Sequence, residues 1–318
     1  MLTVPFFTHR FSLRGLGHPC CRLAAASLAC MAWAASAQTP TPPNETLARV
    51  LETKVLVMGV REAARPFSYL SDDKQSVGYA IDLCNAAVEE LRRELQLPDL
   101  QVQYKTVNGP ERIPKLLSGE IDMECGATTN TKARQEQVAF SYTYFVGGMR
   151  VLSPKDQPIH SLNDLRGAGV ALSKGTISEK MFNRLSAGEV PMKLAVYGNN
   201  AEAYKALKDG KVRAFPQDDS LLLGMMSADP VAAQRYQLST FALSVEPYAV
   251  MVRKQDTALL AVIDKTLARL FASGEIKTLY AKWFLNDTLQ IQMSRLTRDG
   301  FLRPNKEPGV ALVLAHSL

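Results

Sequence analysis

Apolar and polar positions alternate along this chain between two periods. Val55–Val60 is a short apolar run without clean alternation, the pattern of a parallel strand covered on both faces. Ile81, Cys84, Val88, Leu91 and Leu95 then recur at helical spacing, with Arg92 and Arg93 late and Pro98 just beyond, which predicts an amphipathic helix with its stop signal. Residues 101–107 read as the next strand, residues 111–117 as a short helix closed by Gly119, and residues 121–125 as a third strand. Strand followed by helix, repeated, implies right-handed crossovers and an α/β sheet.

A second series begins after Ser153-Pro154. Residues 161–165 predict a short helix ending at Gly167, followed by a strand at 169–173, a helix at 178–185 and a strand at 193–197. Residues 201–207 are helical and stop at Gly210, 212–215 form a strand, and 220–226 a helix. Residues 248–252 lead back as a strand into a long helical stretch, 259–284, interrupted at Ser273-Gly274; beyond Leu285 no period is strong enough to assign. Two α/β units joined by extended crossings near 145–152 and 243–252 predict a hinged pair of lobes. The expected boundaries are 49–147 with 246–286 for lobe 1, 148–245 for lobe 2, and 287–318 for a C-terminal tail. In such folds ligands bind beyond the C-terminal ends of strands, in the crevice between units.

Composition changes this picture at the N-terminus. The first residues carry only Arg10, Arg14 and Arg22, then an apolar run over 23–35 that ends in Ala35-Ser36-Ala37. That is the layout of a secretory signal peptide cut after Ala37, and the run is shorter than the ~20 residues of a spanning helix. Residues 38–48, rich in Thr, Pro and Asn, read as a flexible leader. Cleavage leaves 34 basic against 31 acidic residues, and the formal charge falls from +6 to +3. A mild surplus without a concentrated basic stripe excludes nucleic acid as the expected partner. Three of five cysteines leave with the leader. Cys84 and Cys125 remain, either paired in an oxidising compartment or buried as small free thiols, the reading preferred here.

Candidate chemistry collects at the strand ends. Residues 124–134, ECGATTNTKAR, read as strand end, polar turn and helix start: Gly126 and Ala127 permit close approach, Thr128 and Thr129 offer hydroxyls, and Arg134 adds a guanidinium. Arg61 follows the first strand and Arg112 opens the helix after the second. In the second unit Thr176 follows Gly175, Asn200 follows the 193–197 strand, and Asp218 follows Phe215-Pro216-Gln217. An α-amino acid needs one cationic donor for its carboxylate and one carboxylate for its ammonium. Two arginines are left over, and a second anionic group on the ligand would satisfy them. Each residue also has a structural alternative: Arg61 paired with Glu62, Asp72 or Asp73, Arg112 with Glu111, Arg134 with a surface acid, Asp218 as a helix cap, and Thr129 or Thr131 as the cap of the helix that holds Arg134.

The runs GVREAARPFSYL (59–70), VGYAIDLCNA (77–86), PDLQV (98–102), ERIP (111–114), ECGATTNTKARQ (124–135), SKGTISE (173–179) and DDSLL (218–222) resemble the periplasmic solute-binding proteins of bacterial ABC importers. Within that family they most resemble the glutamate/aspartate-binding branch, over roughly residues 50–290. The resemblance implies a type II, Venus-flytrap fold with two hinge strands that closes over an amino acid and docks on an inner-membrane permease. It further implies that Arg134 and Thr129, helped by Thr176, hold the α-carboxylate, Asp218 the ammonium, and Arg61 with Arg112 the distal carboxylate. Three positions depart from the branch: Ala127 and Gly109 stand where serines are usual, and Asn200 where a histidine is usual.

No nucleophile–base pair stands out. His160 sits in a loop, histidine and cysteine lack metal-ligand spacing, and no cofactor is expected. The alternative from another class is a periplasmic enzyme on the same scaffold, resembling dehydratases of cyclic carboxylates such as cyclohexadienyl dehydratase, since fold alone does not separate the two. The expected protein is a periplasmic monomer.

Overall fold

A computed structural model describes residues 45–312, so the signal-peptide reading lies outside the described residues. The first lobe is built on a five-stranded sheet in the order Gln101–Thr106, Val55–Val60, Met123–Glu124, Met251–Val252, Ala139–Phe140. The first three strands run parallel, and Met251–Val252 returns antiparallel to both neighbours. The helices Tyr79–Glu94 and Thr257–Ser273 bury Leu83, Val88, Leu91, Ile263 and Leu267 in the core of this lobe. Gly274, in the left-handed conformation, ends the second of these and begins Glu275–Phe284, at the interruption predicted from Ser273-Gly274.

The second lobe joins a parallel pair, Gly169–Ser173 with Lys193–Tyr197, to an antiparallel sheet ordered Phe215–Asp218, Met149–Pro154, Tyr236–Leu238. A parallel bridge between Val170 and Ala214 connects the two. Two apolar clusters, around Phe182 and around Phe215, fill this lobe. Between the lobes Phe145–Gly147 pairs antiparallel with Ser244–Tyr248, Glu246 opposite Gly147, so the two predicted crossings lie side by side as hinge strands.

Several expectations are corrected. The stretch 38–48 is not all flexible leader, because a helix begins at Glu45 and runs to Thr53. Thr46 and Val50, one turn apart, are its buried residues, and Thr46 Oγ1 donates to Asp256 at 2.7 Å. Cys84 and Cys125 are not free thiols but a disulfide. Helix Tyr79–Glu94 lies on the sheet that leads into residue 125, which brings their Cα atoms to 6.4 Å, inside the range a disulfide spans. The unassigned tail, over the residues described as far as Leu312, packs on the hinge and the first lobe: helix Arg295–Leu302 stacks Phe301 on Phe271 at 4.7 Å, and Val310–Ala311 adds a strand to Ser244–Tyr248. The strand predicted at 212–215 lies at Phe215–Asp218, which places Asp218 at its end.

Candidate functional site

Each of the three parallel strands of the first lobe leads to one arginine. Arg61 follows Val55–Val60, and its backbone N–H donates to Ser68 Oγ at 2.9 Å in a small hairpin sheet formed by 63–77. Arg112 opens the helix Arg112–Leu117. Its Nε donates to Gly109 O at 3.1 Å, Nη1 to Thr128 Oγ1 at 2.6 Å and Nη2 to Gly175 O, across the cleft, at 3.2 Å. Arg134 lies in the short helix Lys132–Gln135 and donates to Thr129 O at 2.7 Å. Thr131, not Thr129, caps that helix, which leaves the Thr129 hydroxyl free of the capping role.

The second lobe supplies the opposing groups. Thr176 caps Ile177–Ala187, accepting from Glu179 N at 3.1 Å and donating to Ser173 O at 2.7 Å. Asn200 donates to Ala63 O across the cleft at 3.3 Å and accepts from Gln217 Nε2 at 2.9 Å. Asp218 occupies the N-cap position of Asp219–Ser227 without capping it; its carboxylate instead accepts from the hydroxyl of Tyr248 on the hinge strand. All seven residues, Arg61, Arg112, Thr129, Arg134, Thr176, Asn200 and Asp218, line one cavity, closed by Ala64, Ala127, Ile177, Gln217 and Leu221. It holds about 370 Å³ of space between atoms. Cavities of about 1090 and 1040 Å³ elsewhere are roomier but gather no such convergence of buried arginines.

The structural alternatives for the charged residues do not describe the site. Arg61 forms no ion pair among the described residues, and Glu111 pairs with Lys115 at 3.3 Å while Arg112 turns inward. All three guanidiniums are buried. Burial, and then repulsion from Arg112, lowers Arg61 to about 10 and Arg134 to about 9; Arg112 is itself lowered by burial. All three remain charged at neutral pH. Burial, then the neighbouring Glu246, pushes the Asp218 carboxyl well above its usual range, and burial raises Glu246 as well. Crowded cations facing a reluctant anion can bind a ligand of the reverse pattern, carboxylates toward the arginines and ammonium toward Asp218.

Sequence reasoning missed four polar residues here: Gln217, Glu246, Tyr248 and Glu124. Gln217 and Glu124 had a signal, being adjacent to Asp218 and within the ECG run. Glu246 and Tyr248 had none, since the return strand read only as a connector. The lobes also touch through backbone. A Cβ on Gly109 would lie 2.2 Å from Lys174 O, and one on Gly224 2.2 Å from Arg65 O, so both contacts depend on the missing side chain.

The family profile of bacterial extracellular solute-binding proteins, family 3, matches residues 56–286. The chain is 37% identical to an L-glutamate/L-aspartate-binding protein of Pseudomonas aeruginosa, over 83% of this chain and 88% of that one. It is 36% identical to a glutamate/aspartate import solute-binding protein of Escherichia coli, over 82% and 86%. Among solved structures it is similar to a mutant of ArgBP from T. maritima, with TM-score 0.67, 27% identity and coverage of 76% of this chain and all of that one. With its two lobes, paired hinge strands and inter-lobe cavity, this chain belongs to the bacterial extracellular solute-binding proteins, family 3.

Proposed function

We propose that this protein is the extracytoplasmic binding component of an ABC importer for an acidic amino acid, glutamate or aspartate, and acts without catalysis. The observation that supports it best is three buried guanidiniums and one carboxylate converging on a cavity between lobes. In this reading Arg134, Thr129 and Thr176 take the α-carboxylate, Asp218 the ammonium, and Arg61 with Arg112 the distal carboxylate. Asn200 contributes an amide that already bridges Ala63 and Gln217, so it shapes the distal wall more than it adds charge. The moving bodies are residues 49–147 with 246–286 and residues 148–245. The protein is exported, cut after Ala37, and works as a periplasmic monomer that delivers its ligand to an inner-membrane permease.

The narrow cavity is consistent with a closed form, in which Arg112 and Asn200 reach from one lobe to backbone carbonyls of the other. Ligand then enters only when the lobes part, and closing desolvates both partners. Calorimetric titration with glutamate, aspartate, glutamine and glutarate tests the reading. Glutamate or aspartate binding at least tenfold more tightly than glutamine is the expected result, since one unmatched buried charge costs more than 1.4 kcal/mol. Equal affinity for glutamine, or no binding of either acid, would overturn it.

A further inference from the structure

Glu124 belongs to the ECG run yet does not line the cavity. It sits in the middle of the five-stranded sheet, opposite Gly59 on one side and Met251 on the other, and is 0% exposed. Neither of its carboxylate oxygens has a hydrogen-bond partner among the described residues. A buried carboxylate left this way is costly unless its charge is compensated from nearby.

The basic side chain beside it is Arg61, across Gly126. A Cβ at that residue would come within 2.6 Å of Glu124 Oε1 and 2.9 Å of Arg61 Cγ, so the carboxylate reaches toward the Arg61 side chain through space that only glycine leaves open. Its charge acts on Arg61, Arg112 and Arg134 alike, favouring the protonated form of each against the effect of burial. The ionisable groups around the cavity are therefore three guanidiniums and three acids, Glu124 together with Asp218 and Glu246, the last two held toward their protonated forms by burial. Of these three acids Asp218 lines the cavity and Glu124 stands behind the arginines.

We propose that Glu124 determines specificity for ligand charge, offsetting one guanidinium from behind so that the cleft prefers a ligand of net charge −1 over one of net charge −2. It is a positioning residue, acting through the arginines and not by touching the ligand. The proposal rests on the acidic-amino-acid reading above, and its test separates the two.

The probes are glutamate and glutarate, which present the same two carboxylates and differ in the ammonium. The ratio of their dissociation constants is measured by calorimetry on the wild type, Glu124→Gln and Glu124→Asp. Removing a unit charge about 10 Å away, at an effective dielectric constant of about 20, shifts the ratio by roughly tenfold in favour of glutarate. Glu124→Asp, which keeps the charge, returns the ratio to the wild-type value. Parallel loss of both ligands in Glu124→Gln, with the ratio unchanged within twofold, marks a merely structural residue and overturns the proposal. Should Glu124→Gln fail to fold, the side-chain carboxyl carbon of Glu124 is observed by NMR in wild-type protein labelled with ¹³C-glutamate. A carboxylate signal at neutral pH supports the proposal, and a protonated carboxyl overturns it. A wild type that binds neither probe refutes the acidic-ligand reading itself, whereas normal glutamate binding with an unmoved ratio refutes only the role of Glu124.

Discussion

Gly109→Ala isolates lobe closure from ligand contact. The added Cβ would meet Lys174 O at 2.2 Å and Lys174 C at 3.3 Å, both in the opposite lobe. An ordinary contact with a carbonyl oxygen is more than 3 Å, so the lobes must stand about 1 Å further apart at this point. The first bond lost is Arg112 Nη2 to Gly175 O, now 3.2 Å, which at about 4 Å is no longer a hydrogen bond. A hydrogen bond to a charged group is worth about 1.5–3 kcal/mol, which predicts a ten- to roughly hundredfold weaker affinity for glutamate. Gly109 does not have the positive φ that disfavours a side chain, so the open form folds normally and its ligand-free melting temperature is unchanged. Titration calorimetry reads the affinity, and small-angle scattering with saturating glutamate reads the compaction. An affinity within twofold of wild type together with full compaction would refute the contact as a determinant of closure.

The remaining predictions concern charge and covalent linkage. Arg61→Ala and Arg112→Ala weaken glutamate far more than glutamine, because only the former presents a second carboxylate; equal losses in calorimetry would reject their assignment to the distal end. Asp218→Asn costs ~2 kcal/mol of glutamate affinity, roughly the worth of a charge-assisted hydrogen bond, and an unchanged dissociation constant would count against it. Asp218 and Glu246 are raised in the ligand-free fold, so above their ordinary values the folded state holds protons that the unfolded state has released, and stability falls as pH rises through that window. A ligand ammonium pairs with ionised Asp218 and opposes this, so the glutamate-induced rise in melting temperature is larger at about pH 7.5 than at about pH 5.5, where the ligand's own carboxylates are already ionised. A smaller rise at the higher pH contradicts the ammonium assignment. Breaking the Cys84–Cys125 bond, which closes a loop with a sequence separation of 41, by a double change to alanine lowers stability by about 4 kcal/mol on the chain-entropy account. Denaturant unfolding measures it, and a loss below ~1 kcal/mol would show that the bond constrains little.

Sequence alone was sufficient for the alternation of strands and helices, because strand and helix periods are local properties that survive burial on either face. It also sufficed to place Arg61, Arg112, Arg134, Thr176, Asn200 and Asp218 at strand ends, since turns announce themselves through glycine, proline and polar runs. What it left undecided depends on distance through space. Whether Cys84 meets Cys125 is set by a helix lying on a sheet, and no spacing encodes that. Helix Arg295–Leu302 and strand Val310–Ala311 are too short for a period to declare them, and they exist because the hinge offers an edge and Phe271 a face. The charge balance of the cavity was likewise invisible: three arginines and one aspartate could be read in order along the chain, but Glu124 and Glu246 enter the electrostatics only once strands from distant parts of the chain stand side by side. Tertiary structure alone brings those acids within range of the guanidiniums, because Coulomb energy depends on separation in space and burial lowers the screening between them.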